Sequence, residues 1–285
     1  MSEQPPARPL FARRAGEGPA VVLLHGQPGS STDWDRVVSR LEADHALIVP
    51  DRPGYGRTGG PAKGFRDNAS AVAHLLDRCE VPSAVVVGHS WGAGVAIALA
   101  EGHPSRVSAL VLVAPVVPGA PVRLDDRILA APVLGELIAG ATIGLTGVVL
   151  GSRLAAELSD RALGGRTRDA LRTLTALTRG DSAAVWRSFL VEQRALFGEL
   201  DGLAPGLGTL AVPTTVLQGD ADHLVSPRAA RRLASAIQGA NLRMVAGGGH
   251  FLTFDRPDTV AEAVRQVAAS SQPRGEGAGG GQTDR

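Results

Sequence analysis

Short runs rich in Val, Leu and Ile alternate with helical patterns along most of this chain, and that alternation leaves few folds open. The runs are Ala20–His25, Ala46–Pro50, Ala84–Gly88, Ala109–Ala114, Thr214–Gln218 and Asn241–Val245. Most are nearly continuous in apolar residues, as expected of strands covered on both faces. Helical stretches follow at Asp33–Leu41, Asn68–Cys79, Ala93–Gly102, Pro227–Ile237 and Asp258–Ala269. Alternation of this kind predicts an α/β fold, a mostly parallel and doubly wound sheet with helices on both sides.

Between about Val116 and Leu210 the alternation stops. This stretch carries no convincing strand but several helical segments, among them Leu124–Glu136, Thr167–Thr178 and Ala183–Glu199. An all-helical insert after a central strand reads as a cap over the carboxyl edge of the sheet, where open α/β sheets bind ligands. The expected organisation is a core of residues 11–115 and 209–270 with a helical cap at 116–208. Residues 1–10 and 271–285 are polar and rich in Pro or Gly, and are expected to be disordered because they cannot bury enough apolar surface to fold. The apolar stretch Leu129–Leu150 contains Pro132, Glu136 and four glycines. It is too broken for the roughly 20 residues of a membrane-spanning helix and is expected to pack on protein.

Charge limits the partners. Lys and Arg total 29 against 28 Asp and Glu, and no basic run stands out. Nucleic acid and anionic membrane surfaces both demand concentrated positive charge, so neither is expected. Cys79 is the lone cysteine, which excludes a disulfide within the chain and leaves it a small core hydrophobe of a predicted helix. The first residues lack the apolar stretch of a secretory signal, and a cytoplasmic location is the default expectation.

The run Ala84–Gly88 leads directly into His89-Ser90-Trp91-Gly92, and a helix pattern begins at Ala93. Gly88-His89-Ser90-Trp91-Gly92 is thus a G-x-S-x-G sequence in the strand–turn–helix context of a nucleophile elbow. A sharp turn there lifts the Ser90 hydroxyl above the sheet, and glycines two positions to either side leave room for the chain to fold around it. The following helix aims its leading N–H groups at the same spot and favours negative charge there.

At this point the sequence resembles the α/β-hydrolase fold family, in its serine-nucleophile branch. His25-Gly26-Gln27-Pro28-Gly29 looks like the family's H-G-x-P-G oxyanion loop, and Asp51-Arg52-Pro53-Gly54-Tyr55-Gly56 like its D-x-P-G-x-G turn. Gly219-Asp220-Ala221-Asp222 and Gly249-His250 follow late strands, where the family places its acid and its base. The resemblance covers roughly residues 20–115 and 210–270. It implies a triad of Ser90, Asp222 and His250 and an oxyanion hole built from the backbone N–H groups of Gln27 and Trp91. In that scheme His250 takes the serine proton and Asp222 orients the imidazole.

Other residues compete for these roles. Asp220 is the alternative acid, but the G-x-x-D spacing favours Asp222 and makes Asp220 a turn or capping residue. His25 and His89 are expected to hydrogen-bond within their loops, and Asp51 and Arg52 to hold the turn beneath the oxyanion loop. His45, His74 and His103 belong to no motif and are expected on the surface or on helices. Trp34 and Trp91 fit pocket lining and core packing equally well. No H-E-x-x-H or paired-cysteine spacing points to a metal, and no G-x-x-x-x-G-K-S/T or G-x-G-x-x-G to a nucleotide, so neither metal nor cofactor is expected.

A serine at the elbow implies an acyl-enzyme route to cleavage of an ester, a lactone or a related acyl bond. Epoxide hydrolases and haloalkane dehalogenases of this fold place Asp there, so Ser90 argues against both activities. The apolar character of Ile128–Leu150 suggests a small hydrophobic substrate. The alternatives are a non-hydrolytic or carbon–carbon-bond-cleaving enzyme of the same fold, such as a perhydrolase or lyase, and a ligand-binding member.

Overall fold

The computed structural model describes residues 9–120, 130–131, 172–173, 176–177 and 181–271. Its centre is a sheet of seven strands in the order β1-β3-β2-β4-β5-β6-β7. The strands are β1 (Ala12–Ala15), β2 (Ala20–Leu24), β3 (Ala46–Pro50), β4 (Ala84–His89), β5 (Val107–Val113), β6 (Thr214–Gly219) and β7 (Asn241–Val245). All neighbouring pairs are parallel except β1 with β3, which pair antiparallel from Ala12↔Pro50 to Ala15↔Leu47.

The strand runs divide their side chains between two cores by simple alternation. Val22, Leu24, Val86, Leu110 and Leu112 face one core, while Val21, Leu23, Val85, Val87 and Val111 face the other. The first core is closed by α2 (Phe65–Arg78), α3 (Trp91–Gly102) and α5 (Pro227–Ala236). The second is closed by α1 (Asp35–Leu41) and α6 (Pro257–Ser271), with Trp34 just ahead of α1. Burying each Val or Leu contributes about 1.5–3 kcal/mol, and this is why strands shielded on both faces hold so few polar residues.

The first strand escapes the sequence pattern, since Ala-Arg-Arg-Ala holds no β-branched residue. Pairing with β3 and an ion pair from Arg13 to Asp35 at 2.6 Å hold it at the edge of the sheet. Leu10, placed by the sequence reading in the non-folding terminus, packs into the first core. His45, expected at the surface or on a helix, is buried in the loop between α1 and β3. Cys79 lies just beyond the end of α2 and packs partly buried against the first core.

Chain order reverses between β2 and β4. From β2 the chain steps outward to β3 and then returns to place β4 on the other side of β2. A reversal of this kind opens a crevice at the carboxyl ends of the two strands. Helix α4 (Ser182–Gly198) precedes a 3₁₀ stretch at Leu200–Thr209 that leads into β6. The helices expected at Leu124–Glu136 and Thr167–Thr178 fall almost wholly outside the described residues, so the cap expected at 116–208 is represented chiefly by α4. No helix among the described residues is long and apolar enough to cross a membrane.

Candidate active site

Four loops leave the carboxyl ends of β2, β4, β6 and β7, and because these strands are parallel the loops share one edge of the sheet. They carry, in turn, Gly26-Gln27, Ser90, Asp222 and His250. Ser90 sits between β4 and α3 with φ 52° and ψ −116°. This is a left-handed conformation that a side chain makes costly, and the surrounding contacts over-determine it. A Cβ at Gly88 would stand 2.4 Å from the Gly92 carbonyl oxygen, and one at Gly92 would stand 2.4 Å from that of Leu24. Both glycines of the elbow are therefore places where one backbone passes directly against another. The Ser90 amide donates to Val113 O at 2.9 Å, and its carbonyl accepts from Ala93 N–H at 3.0 Å.

The structure brings Ser90, His250 and Asp222 into one line. Ser90 Oγ lies 3.0 Å from His250 Nε2, and His250 Nδ1 lies 2.9 Å from Asp222 Oδ2. An imidazole that donates from Nδ1 to a carboxylate keeps its Nε2 lone pair for the hydroxyl. All three residues are buried. Asp222 also accepts Gln218 Nε2 at 2.8 Å on the same oxygen and the amides of Leu224 and Val225 at 2.8 Å on the other. Burial pushes its carboxyl up, but the His250 charge, the His250 hydrogen bond and the bonds from Val225 and Gln218 outweigh it, and the group is held below the usual carboxylate range. Asp220 does other work: its Oδ1 accepts Gly247 N–H at 2.8 Å and ties the β6 turn to the β7 turn.

The second face of the crevice is formed by the loop after β2. A Cβ added to Gly26 would come within 3.2 Å of the Ser90 Cβ, so this backbone lies directly against the elbow. Trp91 opens α3, where the leading N–H groups have no partner within the helix. Beneath the loop, His25 Nε2 accepts the Arg52 amide at 3.0 Å, and its Nδ1 donates to Gly26 O at 2.8 Å. Burial, with the Arg52 charge next to it, holds the His25 imidazole well below its usual range and therefore neutral. Asp51 braces the neighbouring turn, accepting the amides of Ser31 at 2.7 Å and Arg57 at 2.8 Å.

His89 is likewise neutral. Burial, then the His250 charge, push its pKa down to about 3. Its Nε2 donates to the His250 carbonyl at 3.0 Å, which anchors the His250 loop from below. From above, Phe251 meets the His250 ring edge to face at 5.3 Å. Arg172, a residue of the insert, lies over the Phe251 and Phe254 rings and forms a two-pronged ion pair with Asp255, both contacts at 2.9 Å. Trp34 and Trp91 are both fully buried, so both serve packing.

Sequence reasoning assigned no role to two groups. Gln218, fully buried, is the penultimate residue of β6, and a long polar side chain directly after Val216 and Leu217 at the carboxyl end of a buried strand is the signal that could have marked it. Glu192, on α4, is also fully buried and forms a close ion pair with Arg52. No local pattern marks it, because Arg52 lies 140 residues away. Among the described residues no group of three His, Cys, Asp or Glu side chains is arranged to hold a metal ion.

Comparison with known proteins gives the same fold and a range of activities. A family model described as the alpha/beta hydrolase family matches residues 21–263. An uncharacterized protein of Mycobacterium tuberculosis is 28% identical over 270 residues, covering 92% of this chain and 78% of its own. A haloalkane dehalogenase of Mesorhizobium japonicum is 26% identical over 274 residues, covering 89% of this chain and 85% of its own. Among solved structures, a thermophilic esterase from Thermogutta terrifontis superposes with a TM-score of 0.70 at 21% identity, covering 93% of this chain and 94% of that one. At that identity the likeness is one of fold.

Proposed function

This chain belongs to the alpha/beta hydrolase family, and within it we propose a serine hydrolase that cleaves an ester, lactone or related acyl bond of a small hydrophobic molecule. The observation that carries this reading is the continuous line from Ser90 Oγ through His250 to Asp222, with contacts of 3.0 and 2.9 Å. His250 Nε2 takes the hydroxyl proton as Ser90 Oγ attacks the acyl carbon, and Asp222 steadies the imidazolium that forms. The oxygen of the tetrahedral intermediate is received by the N–H groups of Gln27 and Trp91. Loss of one such donor typically costs about 10²–10³ in rate. Collapse expels the alcohol with the proton from His250, and a water activated by the same imidazole then releases the acid. Ser90 stands where haloalkane dehalogenases of this fold carry Asp, so the likeness to the Mesorhizobium enzyme does not transfer its activity here.

Intact-mass labelling with an alkyl fluorophosphonate tests the reading without a known substrate. Wild type is expected to gain a single adduct, Ser90→Ala none, and His250→Ala one that forms far more slowly. A folded wild type that stays unlabelled would sink the proposal.

A further inference from the structure

A second buried hydrogen-bond system, separate from the line that ends at Ser90, reaches both sides of the proposed oxyanion pocket. The Gly26–Gln27 peptide is trans, so its carbonyl and its N–H point in opposite directions. Whatever fixes the Gly26 carbonyl therefore aims the Gln27 N–H. Two donors fix it, His25 Nδ1 and Arg52 Nη2, each at 2.8 Å. Arg52 Nε holds the preceding carbonyl, that of His25, at 2.9 Å. The guanidinium is thus a planar fork laid across two consecutive carbonyls, a task that Lys has no geometry for. A charged donor on a carbonyl also polarises the peptide and strengthens the N–H at its other end as a donor.

Arg52 is itself held by Glu192. Both side chains are fully buried, and the carboxylate engages Nη1 closely and Nη2 at 3.3 Å. Burial pushes the Tyr55 phenol well above its usual range, so it stays protonated and donates to Glu192 Oε2 at 2.8 Å. The backbone carbonyl of Glu192 accepts the Trp91 indole N–H at 3.3 Å, and the Arg52 guanidinium lies 4.5 Å over the Trp91 ring. One residue of α4 therefore touches the Gln27 side of the crevice through Arg52 and the Trp91 side through the indole.

We propose that Arg52 and Glu192 are positioning residues for the oxyanion pocket: Arg52 aims the Gln27 N–H, and Glu192 holds Arg52 and the Trp91 ring in register with it. Seating of α4 on the core then completes the pocket that receives negative charge, and the insert takes part in rate as well as in substrate choice. This inference rests on the serine-hydrolase reading.

The test uses the alkyl fluorophosphonate on the full chain, with the inactivation rate constant kinact and the binding constant KI measured separately. In that reaction the Ser90 Oγ–P bond forms, fluoride leaves with the P–F electron pair, and the serine proton passes to His250. Negative charge develops on the phosphonyl oxygen, so the pocket acts on kinact. Glu192→Gln is expected to lower kinact about 10- to 100-fold with KI within about threefold, the range that small misplacements and lost donors cause. Because Glu192→Gln leaves Arg52 charged and poorly paired, it is accompanied by the double variant Arg52→Met with Glu192→Met, which removes both charges and restores a packed interior. With a Tm near wild type the double variant is expected to keep the low kinact, because the Gly26 carbonyl has lost its fork. Recovery of kinact to within threefold of wild type would show that the pair only stabilises the fold and would overturn the proposal. An adduct that survives Ser90→Ala would overturn the serine reading and this inference with it, a failure distinct from that of the Glu192 arm.

Discussion

Two buried polar systems meet at the carboxyl edge of the sheet, and they differ in what their protons can do. In the line Asp222–His250–Ser90 the hydroxyl beside the crevice faces an imidazole nitrogen that can take its proton, while Asp222 holds the other nitrogen. In the system His25–Arg52–Glu192–Tyr55 every proton is committed: a guanidinium that does not deprotonate, a phenol pushed up by burial, and an imidazole kept neutral with its tautomer fixed by Arg52 N–H on one side and Gly26 O on the other. The first is arranged for transfer and the second for rigidity. Chemistry in this crevice needs both, because a proton can move on schedule only between atoms that stay in place.

This contrast predicts opposite signatures on mutation. The largest effect is expected for Asp222→Asn, which keeps the shape but favours the wrong imidazole tautomer. On the proposed mechanism it lowers the rate of Ser90 phosphonylation about 10⁴-fold with little change in Tm. In the rigid system the order is reversed. Arg52→Leu leaves Glu192 buried without its partner and is expected to cost about 3–5 kcal/mol in chemical denaturation, as uncompensated buried charges do. An Arg52→Leu protein as stable as wild type would erase the distinction between the two systems.

The smallest effect is one of pH. His89 is neutral in the fold, with a pKa of about 3, and takes up a proton near its ordinary value on unfolding. The unfolded chain thus binds the extra proton, so this contribution to stability is complete above about pH 6.5 and is lost as pH falls toward about 3. Between about pH 6 and pH 5, His89→Asn is expected to flatten the stability profile by up to about 1.4 kcal/mol per pH unit, read from unfolding midpoints. An unchanged slope would mean that His89 is charged in the fold.

What the sequence revealed follows the reach of its patterns. Strands β2 to β5 were legible because burial on both faces writes a nearly continuous apolar run, and β6 and β7 because shorter apolar runs precede glycine-containing turns. Strand β1 was not, because an edge strand of Ala-Arg-Arg-Ala is held by its neighbour and by Asp35. Ser90 was legible because close backbone approach forces glycines at fixed offsets, and these are local. Asp222 and His250 could be anticipated from their places after strands. The choice between Asp220 and Asp222 turned on spacing alone, and the structure gives them different partners, Gly247 N–H and His250. Glu192 had no local mark, since its meaning lies in Arg52 and Tyr55, which are 140 and 137 residues away.

The backbone of Ser90 sets utility against durability at a single position. Its φ of 52° and ψ of −116° belong to a region that only glycine occupies at ease, and such strain costs about 1–3 kcal/mol. A glycine there would release the strain and give back about 0.4–1 kcal/mol to the greater freedom of its unfolded chain. Ser90→Gly is therefore expected to outlast Ser90→Ala in urea by about 1 kcal/mol, and on the serine-hydrolase reading the hardiest form of this molecule is one that does nothing.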